Sequence, residues 1–193
     1  MSLATITAVS LPPQVYAHNT THDVALAADS ARFRPIASTH GWVKPKPGTG
    51  LWTATVTGRD GSGQPADSGW LEYRRDEMCS DTTGTLLTEI LPTRDARILL
   101  VDSHQHLIDL VAAFPAPYEW GYRTEQKYPD WPALAAAGWD AVYLTDRGQW
   151  ATRFPDSGPD LYGWDLESVL WLRHSYTVGT TTISAPAREA VTT

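Results

Sequence analysis

The sequence has a single cysteine, Cys79, among 193 residues, so no intramolecular disulfide staples the fold. That fits a reducing compartment. Long apolar runs are also missing. The longest, such as Ile98 to Val101, have the length of a strand, and none approaches the roughly 20 residues of a membrane-spanning helix. Residues 1–13 lack the basic start and apolar stretch of a secretion signal, so a cytoplasmic location is expected. Cations are scarce, with 15 Lys and Arg against 22 Asp and Glu and a net charge of −7. No basic run exceeds Arg74-Arg75. Non-specific nucleic-acid binding gains its affinity from Lys and Arg on phosphates, so it is disfavoured, whereas a site acting on one nucleotide stays open. There is no phosphate-binding loop, no dinucleotide glycine fingerprint and no nucleophile elbow. Internal repeats and heptads are absent.

What is present describes a globular domain. Hydrophobic residues make up 42% and charged residues 19%, which excludes a disordered chain. The length suits one domain with a core of its own. Nine tryptophans, at positions 42, 52, 70, 120, 131, 139, 150, 164 and 171, are many for this length. Most are expected in the core, because each ring buries a large area. Some could line a cleft for a flat ligand.

Hydrophobic periodicity predicts short strands at Arg32–Ile36, Leu51–Val56, Thr85–Leu91, Arg97–Val101, Trp139–Thr145 and Leu166–Leu172. Helices are expected at Trp70–Cys79, at His104–Phe114 behind an Asp102-Ser103 cap, and at Pro129–Ala137, with Asp130 near its start and Gly138 as its stop. Residues 44–48 (KPKPG) read as an extended loop, 115–128 as irregular and aromatic, and Asp146-Arg147-Gly148 as a turn, with the alternative that the segment places Arg147 or Gln149 at a cleft. Helices and strands do not alternate regularly. The expected class is therefore α+β, with mixed or antiparallel sheets of short strands. A single domain is assigned to 1–176, with an edge strand and flexible tail over 177–193.

Ile98 to His106 (ILLVDSHQH) ends an apolar strand in His-x-His, and two imidazoles at that spacing can share a zinc. The segment resembles the opening strand of the metal-dependent amidohydrolases. A barrel of that kind needs about 250 residues, and His174 is the only later histidine. The helix cap explains the pattern better, with His104 and His106 pointing apart in the first turn, and no metal is expected. Cys79 sits near two arginines that could lower its pKa, but a lone cysteine in a charged stretch is more simply incidental.

The most informative region is 154–172, FPDSGPDLYGWDLESVLWL. A Gly/Pro loop carrying Tyr162 and Trp164 leads to Asp165-x-Glu167, and the chain then turns apolar. At i and i+2 on a strand, two carboxylates share one side. This segment resembles the last motif of the ADP-ribosyltransferase superfamily. Phe33-Arg34-Pro35 resembles the first motif of that family, and the strand Gly50-Leu51-Trp52-Thr53-Ala54 its second, in the order of the Arg-Ser-Glu branch. The second motif departs from the family's Ser-Thr-Ser, and Asp165 stands where that branch has Glu or Gln. The resemblance implies an enzyme using NAD as substrate, a mono-ADP-ribosyltransferase or NAD glycohydrolase. Glu167 would stabilise an oxocarbenium-like transition state, Arg34 would hold the phosphates, and Trp52, Thr53 and Tyr143 would shape the nicotinamide pocket. Asp165, Tyr162 and Trp164 would choose the acceptor, a protein or a nucleotide base. The competing expectation is a non-catalytic phage or bacterial interaction protein whose Trp and Tyr side chains bind a protein partner.

Overall fold

Leu51 to Arg59 alternates large residues with Thr, Ala and Gly, and this pattern builds the longest strand of the molecule. A computed structural model describes residues 2–19, 27–34, 36, 47, 49–116 and 128–184. In chain order the strands are β1 (Thr5–Ile6), β2 (Gln14–His18), β3 (Leu51–Arg59), β4 (Pro65–Ser68), β5 (Leu86–Pro92), β6 (Ile98–Val101), β7 (Ala141–Leu144), β8 (Ser168–Trp171) and β9 (Tyr176–Ile183). Four α-helices lie wholly within the described residues, α1 (Gly69–Asp76), α2 (His104–Ala113), α3 (Trp131–Ala136) and α4 (Asp146–Arg153), and a 3-10 turn covers Ala8–Ser10. The strands join in one mixed sheet of order β1-β6-β7-β8-β3-β2-β5-β9, with β4 beside β3. Only the β6–β7 pair is parallel among the described pairings. The class is α+β.

Both faces of the sheet centre are covered, which is why every residue of β7 and β8 is buried. On one face Val101, Leu144, Leu170 and Leu172 pack with Leu107 and Leu110 of α2 and Trp131 and Leu134 of α3. On the other, Tyr143, Val169, Trp171, Ile90 and Tyr176 form a second cluster. α1 closes a third, smaller cluster over Val15 and Leu87 through Leu71.

Local signals act as their chemistry demands. Ser103 Oγ accepts the His106 backbone N–H at 3.3 Å and caps α2. Asp130 Oδ1 does the same for Ala133 at α3, and Gly138 ends that helix at φ 84°. His104 Nε2 lies 2.9 Å from the Pro159 carbonyl, while His106 Nδ1 accepts from the Asp102 backbone N–H. The two imidazoles therefore serve separate loops.

Four expectations change. Asp146-Arg147-Gly148 is the first turn of α4 and not an isolated turn. Thr145 caps it through the Gly148 N–H at 2.9 Å. Gly148 is required by close packing, since a Cβ there would lie 2.1 Å from the Val101 carbonyl oxygen. Arg32 to Arg34 is no strand: the Asp29 carbonyl accepts from the N–H groups of Arg32 and Phe33 and folds the segment into a turn. The last inner strand begins at Ser168, so Asp165 and Glu167 precede it. Residues 65–68, expected as loop, pair with β3. β9 is an edge strand. The 44–48 loop, the 115–128 stretch and the tail from 185 fall largely outside the described residues.

Candidate functional site

β8 begins where α4 begins, and Glu167 joins the two. Its Oε2 accepts the Asp146 backbone N–H at 3.1 Å. That group is one of the helix donors with no partner inside the helix, and a carboxylate there also meets the positive end of the helix dipole. Its Oε1 accepts from Thr55 Oγ1 at 2.5 Å. Burial first, then the charge of Glu167, push the pKa of the buried Tyr143 far above its usual value. Glu167 thus ties β3 to α4.

Beyond this knot a cleft of about 470 Å³ opens between α1 and α4. Residues 146, 149, 150 and 153 face it from α4, at the i, i+3, i+4, i+7 spacing of one helix face. Glu72, Tyr73 and Asp76 face it from α1, with Glu77 just beyond that helix, and Thr55 and Thr57 from β3. Asp165 and Glu167 both reach it, although neither lies on a strand. Six carboxylates line the cleft, from Glu72, Asp76, Glu77, Asp146, Asp165 and Glu167, against one cation, Arg153. Arg153 pairs with Asp165 at 3.4 Å. Burial, and after it the charge of Asp165, raise the pKa of Tyr73.

Two side chains that line this cleft each carry a buried donor without an acceptor. Gln149 is 4% exposed and its Nε2 makes no hydrogen bond. Arg153 Nε is likewise unpaired. Trp150, which also lines the cleft, is 72% exposed, as is Phe154, the residue after Arg153.

A second cavity of about 260 Å³ lies on the other side of Asp165 and Leu166, which line both. Its walls include Trp52, Trp70 and Trp164.

The remaining predicted site residues disperse. Thr53 is buried, donates to Gln14 Oε1 at 3.0 Å and accepts from Trp171 Nε1 at 3.2 Å, so its hydroxyl is committed to the interior. Tyr143 is a core residue. Tyr162 is partly exposed and packs on Phe154 with ring centroids 5.5 Å apart. Arg34 is exposed and lines neither cavity. Its neighbour Phe33 packs edge-on against His174 and Tyr176. Those rings follow the far end of β8, whereas Glu167 precedes its start, and the strand between them spans about 10 Å. The structure thus brings Asp165 and Glu167 together at the cleft and Trp52, Thr53, Trp164 and Asp165 together at the second cavity, and it does not bring Arg34 to either. Trp150 and Arg153 escape the sequence reading, which placed Gln149 at a cleft only as the alternative to a turn at 146–148. Their spacing would have shown them on one face had residues 146–153 been read as a helix.

No protein-family model matches the chain, and no curated protein or solved structure is significantly similar to it.

Proposed function

We propose that this chain is a non-catalytic binding domain whose α1–α4 cleft takes an extended basic segment of a partner protein. The observation that carries the reading is the acidic lining of the cleft, six carboxylates against one arginine. The guanidinium groups of such a peptide would pair with the carboxylates. Trp150 would stack on the same groups. The NAD reading makes different demands. A pyrophosphate in this cleft would face the same six carboxylates, and Glu167 already serves two donors. The interaction reading therefore fits the site better.

The test is fluorescence anisotropy with a labelled Arg-Ala-Arg-Ala-Arg peptide. Saturable binding that weakens steeply with salt is expected. The Glu72→Gln/Asp76→Asn variant should weaken binding and flatten the salt dependence. Absence of saturable binding at low salt, or a variant that binds like the parent, would overturn the reading.

A further inference from the structure

The acidic cleft has one cation of its own, of the type that a basic segment would bring. Arg153 is the single Lys or Arg among the residues lining the cleft. It stands in the last turn of α4, and its Nη2 donates to Asp165 Oδ1 at 3.4 Å. Its guanidinium carbon lies 5.4 Å from the centroid of the Phe154 ring, within reach of a cation–π contact. A carboxylate and a ring thus already receive a guanidinium at this wall. Both charges of the pair act on Tyr73 of α1. After burial, Asp165 raises its pKa, and Arg153 pulls it down. The pair therefore faces the opposite wall of the cleft.

The contact is loose beside the forked arginine pairs elsewhere in the chain. Arg75 grips both oxygens of Asp67, at 2.6 and 3.2 Å, and Arg147 donates to both oxygens of Asp102. Arg153 makes one bond, longer than an ordinary N–H···O bond, and its Nε is buried without an acceptor. The two-bond fork is the strong form of this pair. A single long contact between partly exposed groups contributes little. Moving off Asp165 would give Arg153 Nε access to water and relieve its missing bond. The Arg153 and Asp165 side chains are 29% and 21% exposed, so an incoming group can reach them. We propose that Asp165 and Phe154 form the seat of one arginine of the partner, and that Arg153 holds this seat in the free protein and yields it on binding. The proposal rests on the reading of the cleft as a site for a basic segment. Binding at this seat is an exchange, because one guanidinium leaves as another arrives. A lone arginine gains little from it. A segment that also engages Glu72, Asp76 and Asp146 across the cleft does gain, so Arg153 selects for several basic residues in a row.

The labelled Arg-Ala-Arg-Ala-Arg peptide at low salt is again the probe. Arg153→Met removes the competing charge and should tighten binding about fivefold, with Arg153→Gln as the substitute if Arg153→Met does not fold. Arg32→Met removes the same charge from a residue that lines neither cavity, and should change binding little. Adding Asp165→Asn to Arg153→Met should cancel the gain. Nitrogen-15 NMR reads the exchange in the parent itself. The Arg153 Nε–H signal, assigned by its absence in Arg153→Met, should exchange slowly with water in the free protein and lose that protection with peptide bound. The inference is overturned if Arg153→Met gains no more than Arg32→Met, if Asp165→Asn leaves the gain intact, or if the peptide leaves the Arg153 signal unchanged. In each of those cases a parent that binds the peptide keeps the binding-domain reading. A parent that does not bind at low salt sinks both.

Discussion

The two cavities share Asp165 and Leu166 yet are built on opposite principles. The acidic cleft is a polar structure whose framework is hydrogen-bonded. Glu167 gathers two donors, Thr145 caps α4, and Arg153 meets Asp165. The tryptophan cavity is a packing structure, shaped by where indoles touch and where alanines leave space. The lesson is that one shared pair of residues can wall two sites of different character, because hydrogen bonding shapes one and the size of side chains shapes the other.

The sharpest way to break this comparison is to destroy the cleft and spare the cavity. Gly148→Val places side-chain carbon where the Val101 carbonyl already stands, 2.1 Å from the nearest allowed Cβ position. Backbone cannot yield as a side chain would, so a loss of about 4 kcal/mol is expected. The α4 wall should detach, while Trp164 stays stacked on Trp131. Denaturant unfolding measures the first, and near-ultraviolet circular dichroism of the indoles reports the second. Simultaneous loss of both signals at every denaturant concentration would mean that the two regions are one cooperative unit.

A smaller effect is expected from Glu167→Gln. The amide keeps one acceptor oxygen but turns a donor toward either Thr55 or Asp146 N–H. Loss of about 2 kcal/mol follows, read as a lower urea midpoint. This outcome also separates the two readings of Glu167. As a structural tie it should cost stability, and NAD should shift the midpoint of neither protein. A parent stabilised by NAD, with nicotinamide release lost in the variant, would return the carboxylate to catalysis.

Much of the fold was legible because local chemistry and final structure agree. Leu51–Val56, Arg97–Val101 and Trp139–Thr145 are strands within a few residues of the observed bounds, and Ser103 and Asp130 cap helices as their types require. Helix α4 was hidden because Asp-Arg-Gly is turn chemistry in isolation. Its glycine is explained only by the Val101 carbonyl, 47 residues earlier. The Arg32–Ile36 expectation failed for the converse reason. Its apolar residues pack onto the sheet clusters from a turn closed by Asp29. The carboxylates of the cleft were partly legible, since Asp165-x-Glu167 does reach one site. Their partners on α1 were not, because the sheet order β8-β3 with β4 alongside is what carries α1 beside α4. Arg34 shows the limit of motif order, which says nothing about distance along a strand.

The smallest effect per step concerns two tyrosines of the second sheet cluster. Tyr143 and Tyr176 are both buried, and both pKa values are raised well above the usual phenol range, chiefly by burial. Glu167 adds its charge at Tyr143, and Tyr16 adds a smaller effect at Tyr176. Tyr176 also donates to the Ala27 carbonyl at 3.1 Å. A raised acid pKa in the native state contributes stability that is complete below the unfolded value, about 10. That contribution is lost as pH rises toward the native value, because only the unfolded chain ionises in between. Stability should therefore fall from pH 10 upward by about 1.4 kcal/mol per pH unit for each tyrosine. Urea midpoints between pH 9.5 and 11.5 measure the slope. Tyr143→Phe and Tyr176→Phe should each remove about half of it. Glu167→Gln should remove little, since burial is the larger cause at Tyr143 and remains. If Glu167→Gln flattened the slope as much as Tyr143→Phe, the carboxylate and not the packing would govern that tyrosine, and the polar framework of the cleft would extend into the core.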